Sequence, residues 1–356
     1  MERTTEKIED ACRFCWMCRH LCPVALVTGN EADTPRGRAF VLSMDRRGYV
    51  FNSEQVDMMY RCNLCYACTD DCATGYDPTV FTRAARTKAV VANMLTGHLK
   101  EVVDETLQGK LPVIHDEETK EYKAMLSRHN KKADLLIYRG GWKSLSLPFL
   151  TLLEKNNIDF KIMEKETVSG SLAWDLVGVV DEVKQFAKNW VKELNESEAK
   201  TVVCLDNNDV FFSRDQMARW EVKSKAQIIT TVAFLISMEK EGKLKKVNKN
   251  LEITYHDPSR LARNLMEIDE PRELIKNSGA TLKELFLHGH LARSCGGIEL
   301  KELYPDVATK VEEGLWEDIK RLGVKTVVTT DLPTYSVLKE STPEGYKVLE
   351  ISELLQ

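Results

Sequence analysis

The chain has 356 residues, of which 43% are hydrophobic and 29% are charged, and its formal net charge is -5. This composition is that of an ordinary globular protein with room for two or three domains. The negative charge argues against a general nucleic-acid-binding protein, which needs a basic surface. The first residues lack the apolar stretch of a signal peptide, and no segment has the roughly 18 apolar residues of a membrane span. The sequence therefore predicts a cytoplasmic protein that would reach a membrane only through partner subunits.

Eight of the ten cysteines lie in two copies of one motif near the N-terminus. Each copy has the spacing Cys-x2-Cys-x2-Cys-x3-Cys, which is typical of [4Fe–4S] ligands in two-cluster ferredoxins. In such proteins the fourth cysteine of each copy binds the cluster of the other copy. The ligands predicted for the first cluster are Cys12, Cys15, Cys18 and Cys72. The ligands predicted for the second cluster are Cys62, Cys65, Cys68 and Cys22.

Zinc sites and disulfides compete with this interpretation of the cysteines. A Cys-x2-Cys pair also occurs in tetrahedral zinc sites, and cysteines of exported proteins commonly form disulfides. Two complete four-cysteine copies, the first of which ends in Cys22-Pro23, favour two [4Fe–4S] clusters over both alternatives. Eight clustered thiols also indicate a reducing environment, such as that of an anaerobic metabolism.

The segments around the two motifs are predicted to be helical. Thr34 before Pro35 has the pattern of an N-cap residue followed by proline at the first helical position. Asp77 and Pro78 repeat this pattern after the second motif and begin a helix that is expected to end near Gly97.

This last helix also carries basic residues, which are expected to lie on a solvated face: Arg83, Arg86 and Lys88. Residues 1–100 are therefore predicted to form a helical ferredoxin domain with two [4Fe–4S] clusters. Residues 101–132 are polar and are predicted to form a connector with room for one helix.

From Asp134 onward, short apolar runs alternate with amphipathic stretches, which is the pattern of α/β units with mainly parallel sheets. The predicted strands are residues 135–138, 201–205, 251–255, 326–329 and 347–351. The predicted helices are residues 147–156, 181–194, 213–220 and 311–322.

An internal repeat divides this half of the chain. The segment 199–206 resembles the segment 324–331, and both end in aspartate after a β-branched run. The repeat predicts one α/β unit at 133–245 and another at 246–356, with equivalent strand-to-helix loops facing one another, where such sheets commonly bind ligands. The predicted fold class is α+β and multi-domain: a helical ferredoxin module followed by two pseudo-repeated α/β units.

With these motifs in place, the chain resembles the D subunits of heterodisulfide reductases and the iron–sulfur subunits of glycolate oxidase and anaerobic glycerol-3-phosphate dehydrogenase. The resemblance rests on the two cysteine motifs and on Thr34-Pro-Arg-Gly-Arg38 between them. It also rests on the segment 256–263, which is similar to the family's His-Asp-Pro-Cys-x-x-x-Arg, and on Arg293-Ser-Cys-Gly-Gly297, where the family has Cys-Cys-Gly-Gly. The resemblance implies two cysteine-rich CCG domains in the C-terminal half.

Nearly all cysteines of these CCG domains are replaced in this chain. In the first unit the corresponding positions hold Arg139 or Gly140, Val168 and Ser169, and Asp206 and Asp209. In the second unit they hold Ser259, Ser294 and Cys295, and Asp331 and Thr334. In the reductases these cysteines hold non-cubane clusters or a structural zinc. Because iron–sulfur chemistry requires thiolate ligands, the resemblance implies that the C-terminal cluster sites are lost.

An additional polar site is expected if the loops of the two units meet. Its candidate residues are Cys295, His256, Asp206 and Asp331. Carboxylates and histidine suit zinc or a polar ligand. The alternatives are that Cys295 is a buried, inert thiol and that the aspartates cap helices.

The leading hypothesis for function is an iron–sulfur electron-transfer subunit without catalytic residues of its own. Its cofactors would be two [4Fe–4S] clusters, and no G-x-G-x-x-G or P-loop motif indicates a nucleotide site. Electrons would pass between a flavin- or thiol-active partner subunit and a further acceptor, such as a ferredoxin, a quinone-linked subunit or an electron-transfer flavoprotein. The alternatives are a catalytic heterodisulfide-reductase-like subunit with an unusual site at Cys295, and a scaffold subunit whose C-terminal half docks partners.

Overall fold

The computed structural model of the protein describes residues 12–49 and 51–356. The first part of the described chain is helical. Its helices are α1 (Pro23–Thr28), α2 (Pro35–Arg46), α3 (Ser53–Tyr60), α4 (Ala67–Asp70), α5 (Pro78–Val91), α6 (Gly97–Leu107) and α7 (Lys120–His129).

The remainder of the chain alternates strands with helices. The strands are β1 (Leu135–Tyr138), β2 (Thr201–Cys204), β3 (Gln227–Thr230), β4 (Glu252–Tyr255), β5 (Thr281–Leu282), β6 (Thr326–Thr329) and β7 (Lys347–Glu350). The helices between β1 and β4 are α8 (Leu147–Lys155), α9 (Ser171–Val177), α10 (Asp181–Glu196), α11 (Asn207–Arg214), α12 (Gln216–Arg219) and α13 (Thr231–Lys240). The helices after β4 are α14 (Ser259–Arg263), α15 (Asp269–Asn277), α16 (Ile298–Leu303), α17 (Pro305–Leu322), α18 (Leu332–Glu340) and α19 (Ile351–Leu354).

The two predicted N-cap and proline pairs begin helices in the structure. The Thr34 hydroxyl accepts a hydrogen bond from the Gly37 amide at 2.9 Å, and the Asp77 carboxylate accepts one from the Thr79 amide at 2.9 Å. These side chains satisfy amides that the first turn of a helix leaves without an intrahelical partner. The prediction that Gly97 ends α5 is wrong, because α5 ends at Val91 and Gly97 begins α6.

The segment 101–132 has more regular structure than its composition indicates. It contains most of α6 and the whole of α7. Both helices bury an apolar stripe, which includes Val102 and Val103 in α6 and Tyr122 and Met125 in α7. Amphipathic burial explains why this polar segment is helical.

The strands form two parallel sheets. The first has the order β1-β2-β3, and the second has the order β5-β4-β6-β7. All paired strands are parallel, and β1 and β6 are buried along their whole length, as parallel strands covered by helices on both faces usually are. Because a helical first part precedes these two sheets, the fold as a whole mixes helix and sheet and is of the α+β class.

The predicted strands are found within one residue at either end, whereas β3 and β5 were not predicted. The predicted helix at 213–220 covers the end of α11 and the whole of α12, whereas the start of α11 directly after Asp206 was not predicted. Buried apolar side chains from the helical part and from both sheets, such as Phe81, Phe149 and Tyr255, belong to one continuous cluster.

The basic residues of α5 differ from the expectation of a solvated face. Arg83 and Arg86 are only 5% and 3% exposed, because this face of α5 packs against α9 and the second cysteine motif. Lys88 is half-exposed and pairs with Asp45. Within residues 12–49 and 51–356, none of the helices has the length and apolar character needed to cross a membrane.

Gly37 provides a test of how tightly the helical part is packed. A Cβ atom at this position would collide with the backbone carbonyl oxygen of Glu31, which cannot move without disturbing the turn before α2. We expect Gly37→Ala to lower the free energy of unfolding by about 1–3 kcal/mol, measured by chemical denaturation. The control is Gly314→Ala in α17, where a Cβ atom would meet only the end of the flexible Arg293 side chain, at 3.2 Å. This variant should be unchanged or about 1 kcal/mol more stable, since alanine favours a helix.

Candidate iron–sulfur centres and the adjoining cavity

Four cysteines from both motifs line one small cavity together with Cys68. They are Cys12, Cys15, Cys18 and Cys72. Backbone amides point at two of the sulfur atoms, from Phe14 to Cys12 and from Tyr76 to Cys72, each at 3.4 Å. Amides that donate to sulfur are a common feature of cluster loops, where they stabilise thiolate charge. The first three cysteines of motif one thus lie with the last cysteine of motif two.

The remaining cysteines form a second, more deeply buried group. Cys22, Cys65 and Cys68 are buried, and Cys22 lies close enough to Cys62 and Cys65 to interact with them electrostatically. The loop that carries Cys65 includes Leu64 and Tyr66 in the left-handed backbone region, with φ of 47° and 63°. These two left-handed residues flank Cys65, so the backbone changes direction on both sides of it. The grouping of all eight cysteines is compatible with the predicted ligand sets, which remain predictions.

The surroundings of the second group fit a negatively charged iron–sulfur cluster. Arg38 is 1% exposed and lies within electrostatic range of Cys22, Cys62 and Cys68, and also of the buried carboxylate of Asp33. Its Nε atom donates to the Met58 carbonyl at 3.0 Å, but its buried Nη2 atom has no hydrogen-bond partner in the described part of the protein. An unpartnered guanidinium nitrogen in a dry site is costly, unless an anion lies beside it.

Burial raises the pKa of five of these thiols, which belong to Cys12, Cys18, Cys22, Cys65 and Cys68. The pKa of Cys22 rises to about 11 and that of Cys18 to about 12, because a thiolate loses its hydration inside the protein. Such thiols are protonated at neutral pH unless iron binds them, since the thiolate is the form that ligates metal. In the described part of the chain, no group of three or more His, Cys, Asp or Glu side chains is arranged to hold a single metal ion.

Two more buried arginines hold the loop of the second motif in place. Arg86 donates to the Cys62 carbonyl, and to the Met59 carbonyl at 2.9 Å. Arg263, at the end of α14, donates to the Cys65 carbonyl at 2.9 Å and to the Ala292 carbonyl. The C-terminal half of the chain thus contributes directly to the position of a predicted ligand.

Asp175 neutralises this arginine-rich layer. It accepts hydrogen bonds from Arg83 and Arg260, both at 2.6 Å, and from Asn208 at 3.0 Å. Burial alone would raise the pKa of Asp175, but the adjacent guanidiniums of Arg260 and Arg83 outweigh burial and hold the pKa below its usual value. The carboxylate therefore stays ionised and connects α5 with α14.

The four candidate residues of the additional site line a common cavity of about 80 Å³. These residues are Cys295, His256, Asp206 and Asp331. Cys65 lines the same cavity, and Asn63 donates to the Ser294 hydroxyl at 2.8 Å across it. The site is therefore in contact with the loop of the second cysteine motif. Asp257, the residue after His256, does not line this cavity and pairs with Arg272 at 2.8 Å.

The loops that follow β2 and β6 meet at this cavity. The Leu332 amide donates to the Leu205 carbonyl at 3.2 Å, and the Asn207 side chain donates to Asp331 at 3.2 Å. Asp206 and Asp331 each cap the helix that begins after them. Helix capping explains the position of both aspartates, and both also line the cavity.

Burial changes the protonation of the groups around this cavity. It raises the pKa of Asp331 to about 6 and that of Cys295 to about 12, and it raises the pKa of Asp206, next to Asp209 and Asp331. Burial also lowers the pKa of His256, whose Nε2 atom donates to the Arg293 carbonyl at 3.0 Å. A neutral imidazole, a neutral thiol and carboxyls that titrate above their usual range can bind a polar ligand or exchange protons.

The corresponding positions of the first unit are closed by hydrogen bonds. Ser169 and Ser171 donate to the same oxygen of Asp209, at 2.5 and 2.6 Å. Burial raises the pKa of Asp209 to about 6, although the two hydroxyls act in the opposite direction. This serine–aspartate cluster fills the place where the resemblance implies thiolates.

Sequence analysis did not find the arginine layer, because a charged residue on a helix usually faces solvent. One signal was present. Arg86 lies one turn from Thr82 and next to Ala85 on the buried stripe of α5, which also includes Phe81 and Ala89. A charge inside an apolar stripe at helical spacing indicates a buried, paired charge.

Comparison with known proteins places this architecture among iron–sulfur proteins. Residues 9–76 match the family described as a 4Fe-4S dicluster domain. Two proteins, each named as the D subunit of a dihydromethanophenazine:CoB–CoM heterodisulfide reductase, are similar to most of the chain. The one from Methanosarcina mazei is 26% identical over 361 residues, covering 90% of this chain and 84% of the relative. The one from Methanosarcina barkeri is 25% identical and covers 87% and 83%. An uncharacterised iron–sulfur protein of Methanocaldococcus jannaschii is 22% identical and covers 89% and 65%.

The Asp175 layer can be tested through stability. We expect Asp175→Asn to lower the free energy of unfolding by about 3–5 kcal/mol, because two buried guanidiniums lose their counter-charge. Since the pKa of Asp175 is lower in the folded protein, its contribution is present above about pH 4 and is lost as the pH falls through the folded value. Thermal melts between pH 2 and 7 measure this.

Asp215→Asn is the matched control, because the Asp215–Arg219 pair lies at the surface, with side chains 29% and 59% exposed. It should change stability by less than about 1 kcal/mol. Equal losses for the two variants would show that Asp175 does not have this role.

Proposed function

Since the chain is an iron–sulfur redox subunit homologous to the D subunits of heterodisulfide reductases, we propose that it relays electrons through two [4Fe–4S] clusters within a larger oxidoreductase. The observation that supports this most strongly is the grouping of the cysteines. Cys72 lies with the first motif and Cys22 lies with the second, which is the exchange that two-cluster ferredoxins use. A zinc site or a disulfide framework does not require this exchange.

In this proposal the clusters supply one-electron chemistry, and the protein holds and insulates them. Cys12, Cys15, Cys18 and Cys72 hold one cluster, and Cys62, Cys65, Cys68 and Cys22 hold the other. Arg38, Arg86 and Arg263 compensate negative charge at the second centre, and Leu64 and Tyr66 exclude water from it. Such charges and hydrogen bonds are what set the potential of a cluster.

We also propose which side of the protein faces a redox partner. Cys15 is exposed, and the apolar side chains that follow it, Trp16 and Met17, are 52% and 48% exposed. Phe40, whose ring lies 6.0 Å from that of Phe14, is 55% exposed. An exposed apolar patch of this kind marks an interaction surface. The first cluster would therefore exchange electrons with a partner subunit, which could be a flavoprotein, a heterodisulfide-reductase-like subunit or an electron-transfer flavoprotein.

The C-terminal half is proposed to be a pair of degenerate CCG-like units at 133–245 and 246–356, following the ferredoxin domain at 1–100 and the connector at 101–132. Support comes from the strand order: β2 and β6 occupy equivalent positions, and each is followed by an aspartate that caps the next helix. In the first unit, an isolated parallel β-bridge pairs Lys161 with Leu136 of β1. In the second unit, the short strand β5 pairs with β4 in the same way.

The relay is tested by Cys65→Ser in protein purified without oxygen. Loss of one ligand should remove the second cluster, so that iron falls from about eight to about four per chain and electron flow from partner to acceptor collapses. The control is Cys204→Ala, because Cys204 is a buried residue at the end of the central strand β2, outside both cysteine motifs, and its replacement should leave both clusters in place. Unchanged electron flow through a Cys65→Ser protein that has lost a cluster contradicts the relay.

One observation favours a second function, catalysis at the cavity that Cys65 and Cys295 share. A thiol beside a cluster could take part in reduction of a disulfide substrate. In that case Cys295→Ala would abolish disulfide reduction and spare electron transfer to an artificial acceptor. Full activity of this variant would leave the relay as the function.

A further inference from the structure

A single carboxylate joins two histidines from a distant part of the chain. The Nε2 atom of His98, at the start of α6, lies 2.9 Å from one oxygen of Glu302 in α16. The Nε2 atom of His115 lies 2.9 Å from the other oxygen. Both distances are those of good hydrogen bonds, and together they use both oxygens of the carboxylate. His98, His115 and Glu302 thus form a three-residue clasp, which the proposed relay does not require.

The clasp joins two elements that line the same cavity. His115 directly follows Ile114, and Glu302 lies about one helical turn after Ile298. Ile114 and Ile298 both line a narrow cavity of about 30 Å³ beside the serine–aspartate cluster of the first unit. Ile298 also lines the adjoining cavity of Cys295. Movement of α16 away from the segment between α6 and α7 would therefore open the narrow cavity.

The contacts of His98 fit a positively charged ring. Its Nδ1 atom lies 3.5 Å from a Glu101 oxygen, while its Nε2 atom faces Glu302. An ionised carboxylate only accepts hydrogen bonds, so both ring nitrogens must carry a proton, as they do in the imidazolium. Desolvation would lower the pKa of His98, but the hydrogen bonds to Glu302 and Glu101 outweigh it and raise this pKa. Desolvation would raise the pKa of Glu302, but the two histidines outweigh it and lower this pKa.

These shifts define the pH range in which the clasp is strongest. Because the pKa of His98 is raised in the folded protein, its contribution is present below about pH 6.5 and is lost as the pH rises through the folded value. Because the pKa of Glu302 is lowered, its contribution is present above about pH 4.5 and is lost as the pH falls through the folded value. The clasp is therefore strongest between about pH 4.5 and 6.5, and it weakens toward pH 8.

Other titratable groups lie near the clasp and in the cavity. The ion pairs on the neighbouring elements are Lys100–Asp104, Arg61–Asp57, Lys301–Glu312 and Lys301–Glu340. Asp116, next to His115, accepts hydrogen bonds from two backbone amides. Burial raises the pKa of Asp209 and of Glu299, which both line the cavity. These two carboxyls also favour the closed cavity at low pH, so only variants of the clasp separate its effect from theirs.

We propose that the clasp is a pH-sensitive contact that holds α16 against the segment between α6 and α7 and keeps the cavity between them closed. The imidazoles of His98 and His115 are 54% and 69% exposed, so they exchange protons with solvent directly. Histidine is the side chain that ordinarily changes charge between pH 5 and 8. Loss of the imidazolium charge weakens the attraction to Glu302, and the cavity then opens more often. This inference is independent of the clusters.

Hydrogen–deuterium exchange of the intact protein, purified without oxygen, tests the clasp between pH 5.5 and 8. The natural protein is compared with the double variant His98→Gln/His115→Gln, because glutamine keeps an N–H donor but does not titrate. We expect the protection of peptides covering residues 106–115 and 298–303 to fall about three- to tenfold more between pH 6 and 8 in the natural protein than in the double variant. The comparison at each pH cancels the pH dependence of chemical exchange, which both proteins share.

Glu302→Gln is a second variant, which removes the charge that both histidines share. It should lower the protection of the same peptides at pH 6 by about three- to tenfold. The matched control is Lys100→Gln, which removes an ion pair of α6 with side chains 43% and 49% exposed and should change this protection by less than about twofold. Equal pH dependence of the natural protein and the double variant would overturn the inference. Equal losses of protection in Glu302→Gln and Lys100→Gln would overturn it as well.

Discussion

The structure depends on buried arginines that join the cysteine loops to the rest of the chain. Arg86 and Arg263 approach the loop of the second motif from opposite halves of the protein and donate to the carbonyls of Cys62 and Cys65. Guanidiniums are stable in such a place only with counter-charges, and Asp175 supplies one from α9. Arg38 lies between the buried carboxylate of Asp33 and the cysteines of the second group, and one of its guanidinium nitrogens has no hydrogen-bond partner among the described residues. A cluster bound at the second cysteine group would therefore depend on the same electrostatic layer as the loop that binds it.

In the C-terminal half, oxygen-bearing side chains occupy positions where the resemblance to the heterodisulfide reductases implies cysteines. Ser169 and Asp209 satisfy each other by hydrogen bonding, so the first unit keeps its loop geometry without any metal. In the second unit the replacement is less complete. Cys295 and Asp331 still face a small polar cavity that reaches Cys65. With oxygen donors and a single cysteine, the side chains around this cavity do not offer the thiolate set that an iron–sulfur cluster requires.

Local signals in the sequence were sufficient for much of the fold. The strands at 135–138 and 326–329 have the predicted bounds because continuous apolar and β-branched runs specify buried parallel strands. Strand β5 was missed because two residues carry no periodic pattern. The burial and pairing of Arg83 and Asp175 depend on a contact between segments far apart in the chain, which no local sequence pattern contains. The spacing of the cysteines is a local pattern, so it can predict the ligand sets. The contacts of Arg86 and Arg263 with the cysteine loop join distant segments and are visible only in three dimensions.

The most direct test of the account is the iron and acid-labile sulfide content of the whole protein, purified without oxygen, together with EPR of its reduced form. The account predicts about eight irons and eight sulfides per chain, with the spectrum of two magnetically interacting [4Fe–4S] clusters. About four irons would mean that one cysteine group holds no cluster. Clearly more than eight irons, or a signal that responds to thiols, would mean that the C-terminal half still holds a catalytic cluster.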